Sequence, residues 1–219
     1  MIQFTDMLNV VCVLRQGGKV GYDASWVDKL KSAVNRHLTI PHRFICLSDC
    51  EVNCERIPLV DTGTGFWSKL ELFRPGLFTS PVLYIDLDTV ICKNIDEIVD
   101  RCRNERFVMW LEKDKNIHSS ALMYWDGDYS YLWNFYKTQP LEYWKELFAH
   151  PPMYGDQALI SENVDHKTFF DICPAEWFHI ASRKDDMLDL SEVRMLMFRK
   201  ASQKPSTMLH HRLVQENWK

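Results

Sequence analysis

The sequence predicts a single α/β domain in which a mostly parallel central sheet is flanked by helices. A strand, a helix and a second strand follow one another within residues 8–47, and such a βαβ unit sets its two strands in parallel. Residues 82–91 form an apolar run rich in β-branched side chains, which is typical of a central strand buried on both faces. The chain has 219 residues, 46% of them hydrophobic, which suits one substantial core without a second domain.

The βαβ unit begins with residues 8–14 (LNVVCVL), which predict the first buried strand. Apolar residues then recur at helical spacing, after Asp23 or Ser25 as the residue that caps the helix. Residues 43–47 (RFICL) predict the second strand. The apolar residues of the helix are Trp26, Val27, Leu30, Ala33, Val34 and Leu38.

Helices and strands are also predicted along the rest of the chain, separated by loops such as residues 61–66. Pro75-Gly76 ends one helix and Pro151-Pro152 ends a long aromatic-rich one, because these residues disfavour helix interiors. The predicted helices are 67–74, 95–102, 129–148 and 156–163, and the predicted strands are 82–91, 106–111, 120–125, 193–198 and 207–211.

The charge and cysteine content argue against several classes of protein. Lys+Arg 26 and Asp+Glu 30 give a formal net charge of −4, which makes no case for a nucleic-acid partner or a membrane surface. No run of about 18 uncharged apolar residues predicts a membrane span. Seven cysteines is an odd number, and several lie in apolar runs, so we expect reduced thiols and a cytoplasmic location. The sequence predicts no oligomeric state.

Asp86 and Asp88 interrupt the apolar run at 82–91. Because side chains alternate along a strand, both are expected to point to the same side, about 6.6 Å apart. Two like charges in a buried strand are costly unless a cation or a shared proton offsets them. Since oxygen ligands suit hard divalent ions, the pair predicts a metal site.

Ligands of open α/β sheets bind outside the carboxyl ends of the strands. Three segments are expected to meet there: the loop 15–22, the loop after the second predicted strand, and the two aspartates. They bring Arg15, Lys19 and Lys69 towards the carboxylates, and such cations beside a metal suit a bound diphosphate. Two alternatives stay open, because Lys69 equally suits a solvated helix surface and Arg15 an exposed loop.

Three motifs in this order resemble those of a known enzyme group. Asp-Leu-Asp-Thr-Val at 86–90, after an apolar strand, resembles the DxD motif of GT-A-fold glycosyltransferases. Residues 66–73 (FWSKLELF) resemble their TKL helix segment, and residues 155–157 (GDQ) resemble their later GDQ motif. Over residues 8–160 the chain is similar to family 8, the glycogenin/galactosyltransferase-like group, and to small bacterial or viral relatives.

The resemblance implies a single GT-A (Rossmann-like) catalytic domain over residues 1–219. Residues 1–90 would bind the nucleotide, and residues 91–219 would bind the sugar and the acceptor. The implied activity is that of a metal-dependent glycosyltransferase of the hexosyltransferase type, which moves a sugar from a UDP-sugar to a glycan or other hydroxyl acceptor. The implied cofactor is Mn²⁺ or Mg²⁺, which would neutralise the leaving diphosphate.

The resemblance also assigns roles to single residues. Asp86 would contact the ribose and the metal, and Asp88 would bind the metal and take part in catalysis. Lys69 would bind donor phosphate or brace the two carboxylates. Asp156 and Gln157 would line the sugar and acceptor pocket as further catalytic residues. The nucleobase would be flanked by Val13, Leu14 and Arg15, with Tyr22 as a stacking partner.

Donor choice and stereochemistry stay open at this point. The family often has Asn-Ser-Gly before a short apolar strand, and here Ser119 and Ser120 stand at the first two positions as donor-binding candidates. If the enzyme inverts the anomeric centre, Asp156 could be the base; if it retains, no such base is needed. Asp156 equally suits the N-cap of the helix 156–163.

The third metal ligand is also a departure from the family pattern. The family has a late His-Phe-x-Gly-x-x-Lys-Pro-Trp motif whose His completes the metal shell. Here a Lys-Pro pair stands at 204–205, and Phe198 occupies the position six residues before it. His210 lies eight residues before Trp218 and is the predicted third ligand, with His211 next. Alternatively, His210 and His211 are ordinary histidines that lie on the surface or pack in the core and bind no metal.

Two rival functions match parts of the pattern. A haloacid-dehalogenase-type phosphatase also follows an apolar strand with D-x-D-x-T/V, and would use Asp86 as nucleophile, Asp88 as acid/base and Mg²⁺ as cofactor. That motif usually ends the first strand of its domain, whereas here a complete βαβ unit precedes it. A sugar-nucleotide-binding protein that does not turn over its ligand is the third possibility.

Overall fold

The computed structural model describes residues 7–17, 20–61, 65–199 and 201–219. Lys19, and residues 62–64 of the predicted loop, lie outside the described residues. The strands are β1 (Leu8–Leu14), β2 (His42–Ser48), β3 (Glu55–Pro58), β4 (Val82–Ile85), β5 (Val90–Ile91), β6 (Phe107–Glu112), β7 (Ile117–Trp125), β8 (Ala149–His150), β9 (Met153–Tyr154), β10 (Lys167–Thr168), β11 (Phe178–Ile180) and β12 (Met195–Met197).

Seven α-helices and several 3₁₀-helices are found within the described ranges. The α-helices are α1 (Ala24–His37), α2 (Asp96–Cys102), α3 (Ser130–Tyr136), α4 (Leu141–Leu147), α5 (Gly155–Asn163), α6 (Phe169–Ile172) and α7 (Arg212–Asn217). The 3₁₀-helices are Gly65–Phe73, Ala175–Trp177, Asp185–Met187, Ala201–Gln203 and Pro205–Thr207. None of these helices has the length and apolar character that crossing a bilayer requires.

The central sheet confirms the predicted fold class. Its seven strands run in the order β10-β6-β7-β4-β1-β2-β3. β1, β2, β3 and β4 are parallel to one another, and β10 is parallel to β6. β7 is the exception, because it pairs antiparallel with both β4 and β6. The carboxyl ends of β1 and β4 therefore lie side by side at one edge of the sheet.

The core lies on both faces of this sheet. On β1, Val10 and Cys12 pack into one apolar cluster and Val11 into the other, because successive side chains of a strand point to opposite faces. α1 covers the first face, and Asp23 caps this helix by accepting a hydrogen bond from the backbone N–H of Ser25. The 3₁₀-helix Gly65–Phe73 covers the second face together with α3 and α5.

The segment that carries Asp86 and Asp88 differs from the prediction of one strand over 82–91. β4 ends at Ile85, and the Thr89 backbone N–H donates to the Asp86 carbonyl at 3.0 Å, which closes a turn. β5 then begins at Val90 and pairs antiparallel with β12 in a separate three-stranded sheet. The prediction of one strand that runs through both aspartates is therefore wrong. Aspartate favours turns, and the chain must turn here to enter the second sheet.

Two other predicted elements are also wrong. The helix predicted over 129–148 is two helices, α3 and α4, and Pro140 precedes the second, because proline cannot donate the hydrogen bond that would join them. The strand predicted over 207–211 is absent, since this stretch leaves a 3₁₀-helix and leads into α7. Sequence patterns that are short and irregular give no clear period, so such segments are the hardest to assign.

Candidate functional site

Two neighbouring cavities open at the edge of the sheet where β1 and β4 end. The first, the β1-side cavity, has a volume of about 470 Å³ and is lined by residues that include Val13, Arg15 and Tyr22. The second, the β7-side cavity, has a volume of about 380 Å³ and is lined in part by β7 and the start of α5. The residues that line both are Phe66, Lys69, Asp86, Tyr154 and Lys204.

Asp86 lies where the two cavities meet, and Lys69 holds its carboxylate. The Lys69 Nζ is 2.8 Å from Asp86 Oδ1 and 3.0 Å from Oδ2, and the Tyr84 hydroxyl donates to the same carboxylate. Burial raises the pKa of Asp86, an effect that Lys69 opposes. Burial lowers the pKa of Lys69, but the carboxylates around it outweigh this and raise the pKa overall. Lys69 therefore stays charged and is not the solvated lysine of the alternative reading.

Asp88 is paired with a lysine from the far end of the chain. Its Oδ2 accepts a hydrogen bond from the Tyr22 hydroxyl at 2.6 Å and forms an ion pair with the Nζ of Lys204. Both side chains of the pair are buried, with 7% of Asp88 and 10% of Lys204 exposed. Burial and the Asp88 charge raise the pKa of Tyr22, so its phenol stays protonated and can donate.

Lys204 is a site residue that was not predicted from the sequence. The signal that could have found it is the Lys-Pro pair at 204–205, which matches the end of the late motif even though the His of that motif is missing. An ion pair between distant segments produces no periodic pattern in the local sequence. The Lys-Pro pair was therefore the one sequence feature that indicated Lys204.

Ser120 and Asp156 extend the polar network into the β7-side cavity. The Lys69 Nζ donates to Ser120 Oγ at 3.2 Å, and Ser120 Oγ donates to Asp156 Oδ2 at 2.6 Å. Burial raises the pKa of Asp156, an effect opposed by the Lys69 charge and the Ser120 hydrogen bond. Asp156 lies in the first turn of α5 and Tyr154 is its N-cap, so the N-cap reading of Asp156 is wrong.

Arg15 forms a second charged network beside the β1-side cavity. Its Nε donates to Ser68 Oγ at 2.8 Å, and its Nη2 lies 3.5 Å from Glu71 Oε1. Glu71 is fully buried and accepts hydrogen bonds from the backbone N–H groups of Val60 and Asp61, at 2.7 and 3.0 Å. Arg15 is thus held in the site and is not an exposed loop residue. Glu71 was not among the predicted site residues; the sequence signal that could have found it is a glutamate between the apolar residues Leu70 and Leu72.

The remaining predicted residues divide into two groups. Ser119 and Gln157 line the β7-side cavity, as Val13 lines the β1-side cavity. The side chain of Leu14 is fully buried in the core cluster that α1 covers, so the expectation that it flanks a base is wrong. It points away because β1 alternates its side chains between the two faces of the sheet.

The histidines predicted as metal ligands lie elsewhere. His210 is exposed and lines neither cavity. His211 is buried, and its Nε2 lies 3.1 Å from Asp185 Oδ2. His179 Nε2 lies 3.0 Å from the same oxygen. His211 therefore helps to pack the start of α7 and matches the packing alternative.

The described residues do not fit the divalent ion that the resemblance implies. Asp86 is engaged by Lys69, and Asp88 by Lys204 and Tyr22. Within the described part of the chain, no group of three or more His, Cys, Asp or Glu side chains could hold a metal ion. A hard cation needs several oxygen ligands, and here a lysine ammonium is paired with each of the two carboxylates.

Comparisons with known proteins agree on the fold. No protein-family model matches the sequence, and no curated protein matches it. Among solved structures, an active-site mutant of LgtC superposes with a TM-score of 0.57 at 10% identity, over 96% of each chain. The galactosyltransferase LgtC in complex with donor and acceptor sugar analogues gives 0.55 at 11% identity, over 96% of each chain.

Two longer glycosyltransferases are also similar. GlyE of Streptococcus pneumoniae TIGR4 gives a TM-score of 0.60 at 11% identity, and the bifunctional WbbM gives 0.59 at 14%. The chain covers 56% of the GlyE chain and 47% of the WbbM chain. At these identities the likeness shows the fold, so the predicted GT-A-type architecture is confirmed.

Proposed function

We propose that this chain is a glycosyltransferase that moves a sugar from a UDP-sugar to a hydroxyl group of a glycan or other acceptor. The observation that carries this proposal is the meeting of two cavities at Lys69, Asp86 and Lys204. A group-transfer enzyme needs room for two substrates and cationic groups where the leaving group departs. The fold shared with glycosyltransferases supports the same assignment.

The β1-side cavity is the proposed donor site. Val13, Arg15 and Tyr22 would surround the base and ribose, and Asp86 would accept hydrogen bonds from the ribose hydroxyls. Lys69 and Lys204 would bind the diphosphate, since ammonium groups form strong charge-assisted hydrogen bonds with phosphate oxygens. Most of this lining comes from residues 1–90, which supports the proposed nucleotide-binding half.

The β7-side cavity is the proposed sugar and acceptor site. Its wall combines the aromatic rings of Phe66, Trp110 and Tyr154 with the polar groups of Asp156 and Gln157. Aromatic faces bury the apolar faces of sugar rings while polar groups bind the hydroxyls. In the transfer, the acceptor oxygen bonds to the anomeric carbon, the electron pair of the broken C–O bond stays on the diphosphate, and the acceptor proton is lost to a base or to solvent.

The phosphatase alternative is less compatible with the geometry. A nucleophilic aspartate attacks phosphorus with an oxygen lone pair, and the contacts of both Asp86 oxygens with Lys69, together with the hydrogen bond from Tyr84, lower the nucleophilicity of this carboxylate. The Mn²⁺ or Mg²⁺ expected from the resemblance is not part of this proposal, because the donor set does not fit it.

All seven cysteines are free, which supports a reducing compartment, and we propose the cytoplasm.

The test is a panel of UDP-sugars, each examined by thermal unfolding and by release of UDP. We expect UDP and at least one UDP-sugar to raise the unfolding temperature, and that sugar to be hydrolysed slowly or transferred to an oligosaccharide. Asp88→Asn should lose both signals, whereas Asp100→Asn, on the exposed side of α2, should keep them. Cleavage of a phenyl phosphate without any nucleotide-sugar effect would contradict the proposal, and binding without turnover would indicate the non-catalytic alternative.

A further inference from the structure

We infer that Lys204 takes the place of a divalent cation in this site, so that the chain binds its nucleotide-diphosphate donor without metal. This inference rests on the proposed function and concerns the same cavity. Its basis is the buried ion pair between Lys204 Nζ and Asp88 Oδ2 at the boundary of the two cavities.

Asp88 already has two partners in this structure. Its Oδ2 already receives the Tyr22 hydroxyl at 2.6 Å and the Lys204 ammonium. A divalent ion bound there would face that ammonium at close range, and like charges in a buried site repel strongly. Expelling Lys204 would instead leave a buried lysine without its partner, which is costly as well.

Phe198 stands at the position where the family motif has the histidine that completes the metal shell. Phe198, six residues before Lys204, is buried and lines the β7-side cavity. Its ring has no ligand atom, and its carbonyl oxygen lies 3.5 Å from the Lys204 Nζ. The local groups are therefore arranged around an ammonium ion, which has three N–H donors and no acceptor.

The charges of the two lysines balance those of the two aspartates. Lys69 is anchored on Asp86 and Lys204 on Asp88, so each carboxylate holds one ammonium group. Together the two lysines carry the charge of one divalent ion on the same two aspartates. Of the three Lys204 N–H donors, one goes to Asp88 and one is directed to the Phe198 carbonyl, which leaves the third for a phosphate oxygen.

Hydrogen bonds hold the backbone of Lys204 in place. Its N–H donates to Thr207 Oγ1 at 3.0 Å, and its carbonyl accepts the N–H groups of Thr207 and Met208 at 2.8 and 3.0 Å. Pro205 and Met208 are buried. The lysine is thus presented from a packed turn, as a fixed charge must be if it is to replace a bound ion.

The experiment compares wild-type protein, Lys204→Met, and a control variant, Lys93→Met, in metal-free buffer. Lys93 is exposed, is paired with Glu192, and lines neither cavity. UDP affinity is measured by calorimetry with excess EDTA and again with Mn²⁺, and Mn²⁺ binding itself is measured by electron paramagnetic resonance. The double variant Lys204→Met/Asp88→Asn, which removes both buried charges, keeps the comparison meaningful if Lys204→Met folds poorly.

We expect wild-type protein and Lys93→Met to bind UDP equally well with EDTA and with Mn²⁺, and to bind no Mn²⁺ on their own. Lys204→Met should bind UDP about tenfold or more weakly in EDTA, the scale of one lost charge-assisted hydrogen bond. Because Asp88 then has lost its ammonium partner and keeps only the Tyr22 hydrogen bond, Mn²⁺ should bind to this variant and restore part of the UDP affinity. The double variant should show no such rescue.

Two results separate the inference from the function on which it rests. Wild-type protein that binds UDP only with Mn²⁺, or that binds Mn²⁺ without nucleotide, overturns the role of Lys204 and leaves the transferase proposal standing. Wild-type protein that binds no UDP or UDP-sugar under either condition overturns the proposed function, and the inference with it.

Discussion

The Lys69 ammonium lies 2.8 Å from Asp86 Oδ1, at the boundary of the two cavities. Lys69→Met should therefore weaken UDP binding and lower the free energy of unfolding by about 1–3 kcal/mol, because a partly buried carboxylate loses its partner. Urea unfolding and UDP titration measure the two effects. In Lys69→Met/Asp86→Asn the stability should partly recover while binding stays weak. Equal recovery of both would mean that Lys69 acts only on stability.

Glu71 should be the residue on which the stability of the site depends most. It is fully buried, accepts the backbone N–H groups of residues 60 and 61, and lies 3.5 Å from both Arg15 and Arg74. Glu71→Ala leaves these cations and donors without their partner, so we expect a loss of about 3–5 kcal/mol in urea unfolding. Glu146→Ala, at an exposed position of α4, is the control and should change stability little. A loss similar to that of the control would show that the arginines find other partners.

The part of the fold that could be predicted from the sequence is the part built on regular local patterns. β1, α1 and β2 have clear periods and a capping aspartate, so the βαβ unit and its parallel pairing followed directly. The turn after β4 could not be predicted, because it depends on β5 pairing with β12 much later in the chain.

The candidate site shows the same division. Asp86, Asp88 and Lys69 could be singled out as charges placed against an apolar pattern. The partner of Asp88 could not, since Lys204 reaches it through tertiary packing and its own neighbourhood in the sequence has no regular period. The expected histidine was wrong for the same reason: spacing from Trp218 gives no information on which side chain the fold brings to the carboxylates.

Asp156 is expected to affect transfer more than donor binding. It lines the β7-side cavity and not the β1-side cavity, and Ser120 Oγ donates to its Oδ2 at 2.6 Å. Asp156→Asn should lower kcat about tenfold or more while the donor KM changes little, as for a group that acts on the acceptor. Glu162→Gln, at an exposed position of the same helix, is the control. An inverted product would support Asp156 as the base, and a retained product would exclude that role.

Gly155 is expected to hold the Phe66 ring in position, which together with Tyr154 lines both cavities. Its φ is +69°, and a Cβ at this position would lie 2.6 Å from the Phe66 ring. Gly155→Ala should cost about 1–2 kcal/mol of stability from the left-handed backbone and also displace the ring, raising KM for donor and acceptor. Gly127→Ala is the matched control, with φ +115° and its nearest contact at 3.8 Å. Phe66→Leu in the Gly155→Ala background should relieve the steric part, and equal KM values in both glycine variants would contradict this account.

His118 should make the fold less stable in mild acid. Burial lowers its pKa, as does His166, whose ring centroid is 4.5 Å away, whereas Glu162 and Asp171 act in the opposite direction. Because the folded pKa lies below the ordinary value of about 6.5, the unfolded chain takes up the proton first as the pH falls. The free energy of unfolding should therefore drop from pH 7.5 to pH 5.

Other groups also titrate over this range, so the variant His118→Asn isolates the effect. The carboxyls of Asp86, which is partly buried, and of Asp156, which is buried, have raised pKa values, and each stabilises the fold as the pH falls, which opposes the histidine. The drop in unfolding free energy between the two pH values should be smaller in His118→Asn than in wild-type protein. His150→Asn, an exposed histidine, should leave the drop unchanged. If His118→Asn and His150→Asn behave alike in urea unfolding at both pH values, the proton is taken up elsewhere in the chain.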